Sequence, residues 1–302
     1  MSSSNASPLR AVLYALLANF GIFVAKAIAA VVTGSSAMLA EAIHSLADCG
    51  NQGLLLLGMR DAKRPPTPDH PLGYGKVVYF WAFLVSVMLF TVGGAFSVYE
   101  GWHKLANPEP LRWPAVAIAV LSAAILLETG SLLGAMREIR KMAHGRTLWR
   151  FFRESRNSEL VVILGEDIAA LAGLVIALAA VGIALATGNP AFDAIGSIAV
   201  GVLLLVVAVL LGVEIKGMIT GHSAEREVEA EIRGYIERQP EVAQLLNLIT
   251  LQLGDDIMVA IKARMRETQD AQRLLEAIDR VEVGLRAAVP AIRWSFFEPD
   301  SH

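Results

Sequence analysis

The chain has 302 residues, of which 55% are apolar and 18% charged, and its formal net charge is -3. That balance excludes an ordinary water-soluble globular protein and points to a chain held largely in a lipid bilayer. With no basic stripe interleaved with aromatics, the near-neutral charge excludes nucleic acid as a partner.

The opening MSSSNASPLR is short and polar, lacks a cleavage-site pattern and runs straight into apolar sequence, so no removable signal or transit peptide is expected. Six apolar segments follow, near residues 11–33, 37–59, 78–101, 113–136, 159–186 and 191–213. Each approaches the roughly 20 residues that a membrane-spanning helix needs. Segments one and two are joined only by GSSA, and segments five and six only by GNPA, which predicts two tight helical hairpins. Basic residues gather on one side: Arg60, Lys63, Arg64 and Lys76 after segment two, and Arg137, Arg140, Lys141, Arg146, Arg150, Arg153 and Arg156 after segment four. The opposite side has only Lys104 and Arg112, so both chain ends are expected in the cytoplasm.

Past Glu214 the character changes. Residues 223–239 are charged and helix-patterned, LLNLITLQLGDDIMVAIKARMR reads as two strands reversing at Gly254, Asp255 and Asp256, residues 270–289 form an amphipathic helix, and AIRWSFFEP is a last strand. The expected organisation is a short cytoplasmic N-terminus over 1–10, a six-helix transmembrane domain over 11–213 and a small cytoplasmic α+β, ferredoxin-like domain over 214–302. A domain of that size buries a modest core, and packing against a second copy would help it.

Two segments carry groups that lipid rejects. In EAIHSLADCGNQ, His44 and Asp48 are four residues apart on one helix face, Glu41 lies nearly on the same face, and Asn51 and Gln52 continue the polar run. In ILGEDIAAL of segment five, Glu166 and Asp167 are adjacent and point about 100° apart, and Asp167 is the preferred ligand of the two. Ionisable groups at this depth face a bundle interior or a water-filled cavity and mark an ion path, whereas a purely structural pair would only glue helices together. A histidine with two or three carboxylates from facing helices makes a nitrogen and oxygen site suited to zinc and open to other borderline divalent ions. Such ligands bind metal only when deprotonated, so proton and metal displace one another.

The remaining groups read as structural. The single cysteine, Cys49, is expected to be a small buried thiol, Asp193 to favour a helix N-terminus, and Glu128 to hydrogen-bond between helices. His103 and His144 lie in loops and need no special role.

The six-helix plan, the HSLAD pair, the acidic residues of segment five, the loop HPLGYGK, the segment FDAIGSIAVGVLLL and the terminal FFEP together resemble the cation diffusion facilitator family, and EAIHSLADCGNQGLLLLG with TPDHPLGYGK is most similar to its zinc transporter nine branch. The resemblance implies a homodimer in which each protomer exports a divalent cation, zinc first, from the cytoplasm in exchange for protons, with metal as cargo and no prosthetic group. Carried over, His44, Asp48 and Asp167 match family ligands, while Ile163 stands where a fourth is usual. Glu166 supplies that fourth ligand, or a water completes the shell; Glu41 is a weaker candidate, a proton carrier or entrance group. The family's loop site is matched by His70 only, since Tyr74 replaces its second histidine and Asp69 is displaced from its carboxylate. Lys76 matches a lysine that locks the dimer in some members, but Gly221 stands at its acidic partner's position. Past segment six the histidines are His222 and His302, so a regulatory zinc site at the dimer interface is not expected. Glu298 alone fits that pattern, and an apolar dimer face with Trp294 and Phe296 in the core and Phe297 pointing away is expected instead.

Manganese, iron or cobalt transport by the same fold is the alternative within transport, because a carboxylate in place of the missing nitrogen hardens the site. A non-transporting metal sensor and an intramembrane metal-dependent hydrolase are the alternatives outside it, and the absence of HExxH counts against the hydrolase. A bacterial inner membrane is the expected location.

Overall fold

The computed structural model describes residues 8–142, 158–266 and 270–300. Arg146, Arg150, Arg153, Arg156, His144 and His302 lie outside the described residues. The described residues fall into two compact units. The first holds the chain up to Leu57, from Trp81 through the fourth long helix, and Glu159–Glu214; the second holds Gly58–Phe80 and the chain from Ile215 onward.

The first unit is built from the greater part of the long helices: α1 Pro8–Thr33, α2 Ser36–Ala62, α3 Val77–Met88 continued through a π-helical stretch Leu89–Ala95 into α4 Phe96–Ala106, α5 Pro114–Met142, α6 Ser158–Thr187 and α7 Ala191–Gly221. The two reversals fall at GSSA and GNPA, where Gly34 (φ 67°) and Gly188 (φ 66°) adopt the left-handed conformation that only glycine takes without strain. Among the described residues four helices are long and apolar enough to cross a membrane: Val77–Ala106, Pro114–Gly134, Val162–Thr187 and the one beginning at Ala191. The expectation of six is met only to that extent. Within the described side chains α1 offers the shorter apolar stretch Asn19–Thr33, and the polar run from Glu41 to Gln52 interrupts α2.

The start of α2 is fixed from α7. Ser35 is the N-cap, its Oγ accepting from Met38 N at 3.1 Å. Asp193, in the first turn of α7, accepts from Ser35 Oγ at 2.5 Å and from Ser36 N and Oγ at 2.6 and 2.9 Å. This buried carboxylate takes up a backbone N–H that the first helical turn leaves without an intrahelical partner. The structural role expected for Asp193 is therefore a cap supplied across the bundle to a neighbouring helix. Close packing relies on small residues: a Cβ at Gly201 would meet Val98, one at Gly94 would meet Leu205, and one at Gly101 would meet Ile198 and the Ala194 carbonyl, which brings the third long rod against α7.

The second unit has α8 Arg226–Glu237, β1 Val242–Leu253, β2 Asp256–Met265, α9 Ala271–Ala288 and β3 Ile292–Pro299. The strands form one sheet in the order β1-β2-β3, with β1 and β2 antiparallel and β2 and β3 parallel. The hairpin turns at Gly254 (φ 71°). Alternating β2 residues Ile257, Val259, Ile261 and Ala263 face the core made with Ile232 and Ile236 of α8 and Val281 and Leu285 of α9. On β3 the expected phase is corrected. A register shift between the pairs Ile257–Ile292 and Met258–Trp294 leaves Arg293 as an extra residue, so the alternation slips by one. Phe297 consequently packs on the core, while Phe296 is 54% exposed and Trp294 half-buried.

The loop 63–76 belongs to this second unit. A Cβ at Gly75 would collide with the Leu253 carbonyl, and Gly254 N donates to Tyr79 Oη at 3.0 Å, so the loop backbone sits directly on the β1–β2 turn.

Candidate metal centre

On α2, residues 41, 44, 48 and 51 recur at intervals of three and four, the spacing of one helix face. Glu41, His44 and Asn51 are fully buried and Asp48 is half-buried. Along this face Glu41 Oε1, both His44 ring nitrogens, Asp48 Oδ1 and Asn51 Oδ1 have no protein hydrogen-bond partner, as does Gln52 Oε1. A buried polar atom left without a partner costs on the order of 1–3 kcal/mol, so a helix carrying this many is shaped for something other than its own stability. His44 Nδ1 and Asp48 Oδ1 lie 3.7 Å apart, too far for a hydrogen bond and close enough to act on one ion.

On α6 the adjacent acids diverge. Glu166 is buried and its Oε1 accepts from Asn51 Nδ2 at 2.5 Å, tying α6 to α2. Asp167 is half-buried. Ile163, one turn before Asp167, is 40% exposed. Of the two acids, Glu166 is held by Asn51 of α2, while Asp167 stands about 100° away around α6. Among the described residues no three His, Cys, Asp or Glu side chains converge closely enough to hold a metal ion. The candidate ligands line one region of the bundle without forming a closed shell.

Glu128 is half-buried on α5. Lys26 is a group that motif spacing does not reveal. Its Nζ donates to Glu41 Oε2 at 3.2 Å and to Ser45 Oγ at 2.8 Å, and both ends of the ion pair are buried. The signal that finds it in a sequence is a lone cation inside an apolar helix. Cys49 is free and half-buried rather than fully buried, so the expected packed thiol is corrected.

The loop candidate is spoken for differently. His70 stacks on Tyr74 with ring centroids 4.4 Å apart, Tyr74 Oη lies 3.2 Å from Thr67 Oγ1, and Asp69 and His70 are exposed. Lys76 and Gly221 are spatial neighbours: a Cβ on Gly221 would lie 3.8 Å from Lys76 Nζ. On β2, Asp300 at 2.5 Å and Glu298 at 3.4 Å hold the exposed Lys262 ammonium above its ordinary pKa, so Glu298 is engaged within its own chain.

Residues 12–216 match the family model for the cation efflux transmembrane domain. The chain is similar to the mouse proton-coupled zinc antiporter SLC30A9, mitochondrial, at 36% identity over 231 residues, covering 76% of this chain and 41% of that protein. It is 32% identical to metal tolerance protein C4 of Arabidopsis thaliana over 247 residues, covering 81% of this chain and 54% of that protein. It is 28% identical over 256 residues to the zinc transporter ZitB of Pectobacterium atrosepticum, covering 84% of this chain and 75% of that protein. The chain spans about half the length of the SLC30A9 relatives it matches, 41 to 47% of each. Those relatives are mitochondrial by name, which leaves the expected bacterial inner membrane without support.

Proposed function

The chain belongs to the cation efflux family, and on that premise we propose that this multi-pass membrane protein is a secondary transporter moving divalent cations, zinc first among them, in exchange for protons. One observation carries the reading: the run of unpartnered lone pairs on α2, from Glu41 through His44 and Asp48 to Asn51, buried among apolar helices. In this reading His44 and Asp48 of α2, with Asp167 and Glu166 of α6, take the cation, and the α6 acids complete the shell when the helices shift against one another. A proton on any of these groups removes the lone pair the metal needs, so each passage of metal in one direction is matched by protons in the other.

Six spans with cytoplasmic ends, the division at 10 and 213, a homodimer and export from the cytoplasm belong to the same proposal. The outer face of the sheet supports the dimer: Ile249, Ala260 and Phe296 stand side by side across the three strands, and Ile249 and Phe296 are both 54% exposed. Ile163 favours a second cation class, since a site completed by carboxylate rather than histidine also suits manganese, iron or cobalt.

The test is purified protein in sealed vesicles with a zinc-sensitive dye on one side and a pH dye to follow the counter-flow. Zinc and proton movements in fixed proportion are expected. Binding without movement of any of these metals would favour the sensor and defeat the transporter.

A further inference from the structure

Lys26 sits two turns before the end of α1, fully buried, and its ammonium reaches two groups of α2: Glu41 Oε2 at 3.2 Å and Ser45 Oγ at 2.8 Å. Glu41 is pressed against α6 as well. A Cβ at Gly173 would lie 2.6 Å from Glu41 Oε1, so the missing side chain of Gly173 makes the room Glu41 occupies, and Oε1 has no hydrogen-bond partner there. Glu41 is one turn before His44 on the same face, a rise of about 4.5 Å. Without Lys26 a bare carboxylate would stand beside the α2 line of ligand atoms, in a low-dielectric setting where a free anion holds a divalent cation strongly.

We propose that Lys26 is the fixed counter-cation of the transport path, a positioning residue that occupies Glu41 so that the moving ion engages His44 and Asp48 instead of stalling one turn earlier. The inference rests on the transporter reading. A purely structural pair joining α1 to α2 is the competing account.

The two accounts part on the direction of change. With Lys26→Gln, Glu41 loses its partner and its carboxyl is open to the metal: zinc binds the solubilised protein at least about fivefold more tightly, and the maximal vesicle flux and the half-saturating zinc concentration fall together. With Glu41→Gln, Lys26 loses its carboxylate partner beside the ligand line, and binding weakens by at least about fivefold. The double variant, a neutral pair, returns affinity to within about twofold of the parent. Ser45→Ala loosens only the second contact of Lys26 and gives a smaller shift in the Lys26→Gln direction should that variant fail to fold. Shifts of the same sign in Lys26→Gln and Glu41→Gln, or unchanged affinity in both and in Ser45→Ala, overturn the inference while wild-type flux keeps the transporter reading. A wild type that neither binds nor moves zinc, manganese, iron or cobalt overturns both.

Discussion

Asn51 Nδ2 on α2 donates to Glu166 Oε1 on α6, a buried link that turns Glu166 toward α2 while its neighbour Asp167 is half-buried. The link makes a prediction about which acid does what. Asn51→Ala frees Glu166 and is expected to lower zinc flux about tenfold, the range seen when a group orienting a metal ligand is lost. Glu166→Gln and Asp167→Asn both abolish flux if the acids complete one shell. Failure of Asp167→Asn alone, in the same vesicle assay, would make Glu166 an anchor between helices and leave the fourth position to water.

His44→Ala and Asp48→Ala each remove a lone pair from the α2 face and are expected to cut flux by at least about a hundredfold while the protein still purifies as folded material with wild-type helix content. Near-normal flux in both would withdraw the α2 face as the cation site.

Proton and metal compete for the same lone pairs, so the half-saturating zinc concentration is expected to rise as pH falls. Imidazole and carboxylates lose metal affinity on protonation, and between pH 7.5 and 5.5 the rise should be at least about tenfold. Measured with pH equal on both sides of the vesicle, a flat profile would remove proton competition from the mechanism.

Asp193→Ala leaves Ser36 N and the Ser35 and Ser36 hydroxyls at the start of α2 without their shared acceptor, while Ser35 still caps Met38 N. The expected cost is about 2–4 kcal/mol, combining the lost acceptor with buried groups left unpaired. It should be visible as a lowered melting temperature of the full chain. Asp193→Asn keeps an acceptor oxygen and should recover part of the loss.

In the sheet, Phe297→Ala should destabilise the chain by about 2 kcal/mol because it empties a position packed on the core. Phe296→Ala should change stability by under about 0.5 kcal/mol and instead weaken dimerisation, read by light scattering in detergent. The reverse pattern would restore the simple alternation that the sequence suggests for β3.

Local patterns in the sequence determine a good deal of this protein. Apolar runs bounded by GSSA and GNPA define the helices and their two tight reversals, the order helix, strand, strand, helix, strand is readable from periodicity, and intervals of three and four put residues 41, 44, 48 and 51 on one face of α2. All of these follow from the fixed geometry of a helix or strand over a few residues. Features that depend on how elements rotate and abut are settled only in three dimensions. Glu166 and Asp167 are neighbours about 100° apart, and the packing of α6, with Val162 and Ala169 buried on the Glu166 side, decides which faces α2. Lys26 meets Glu41 from another helix, Asp193 caps a helix 157 residues away, and the extra residue at Arg293 reverses which phenylalanine of β3 is inside. Each is a contact between segments distant in sequence or a slip in register, and neither leaves a local mark because its energy comes from the partner.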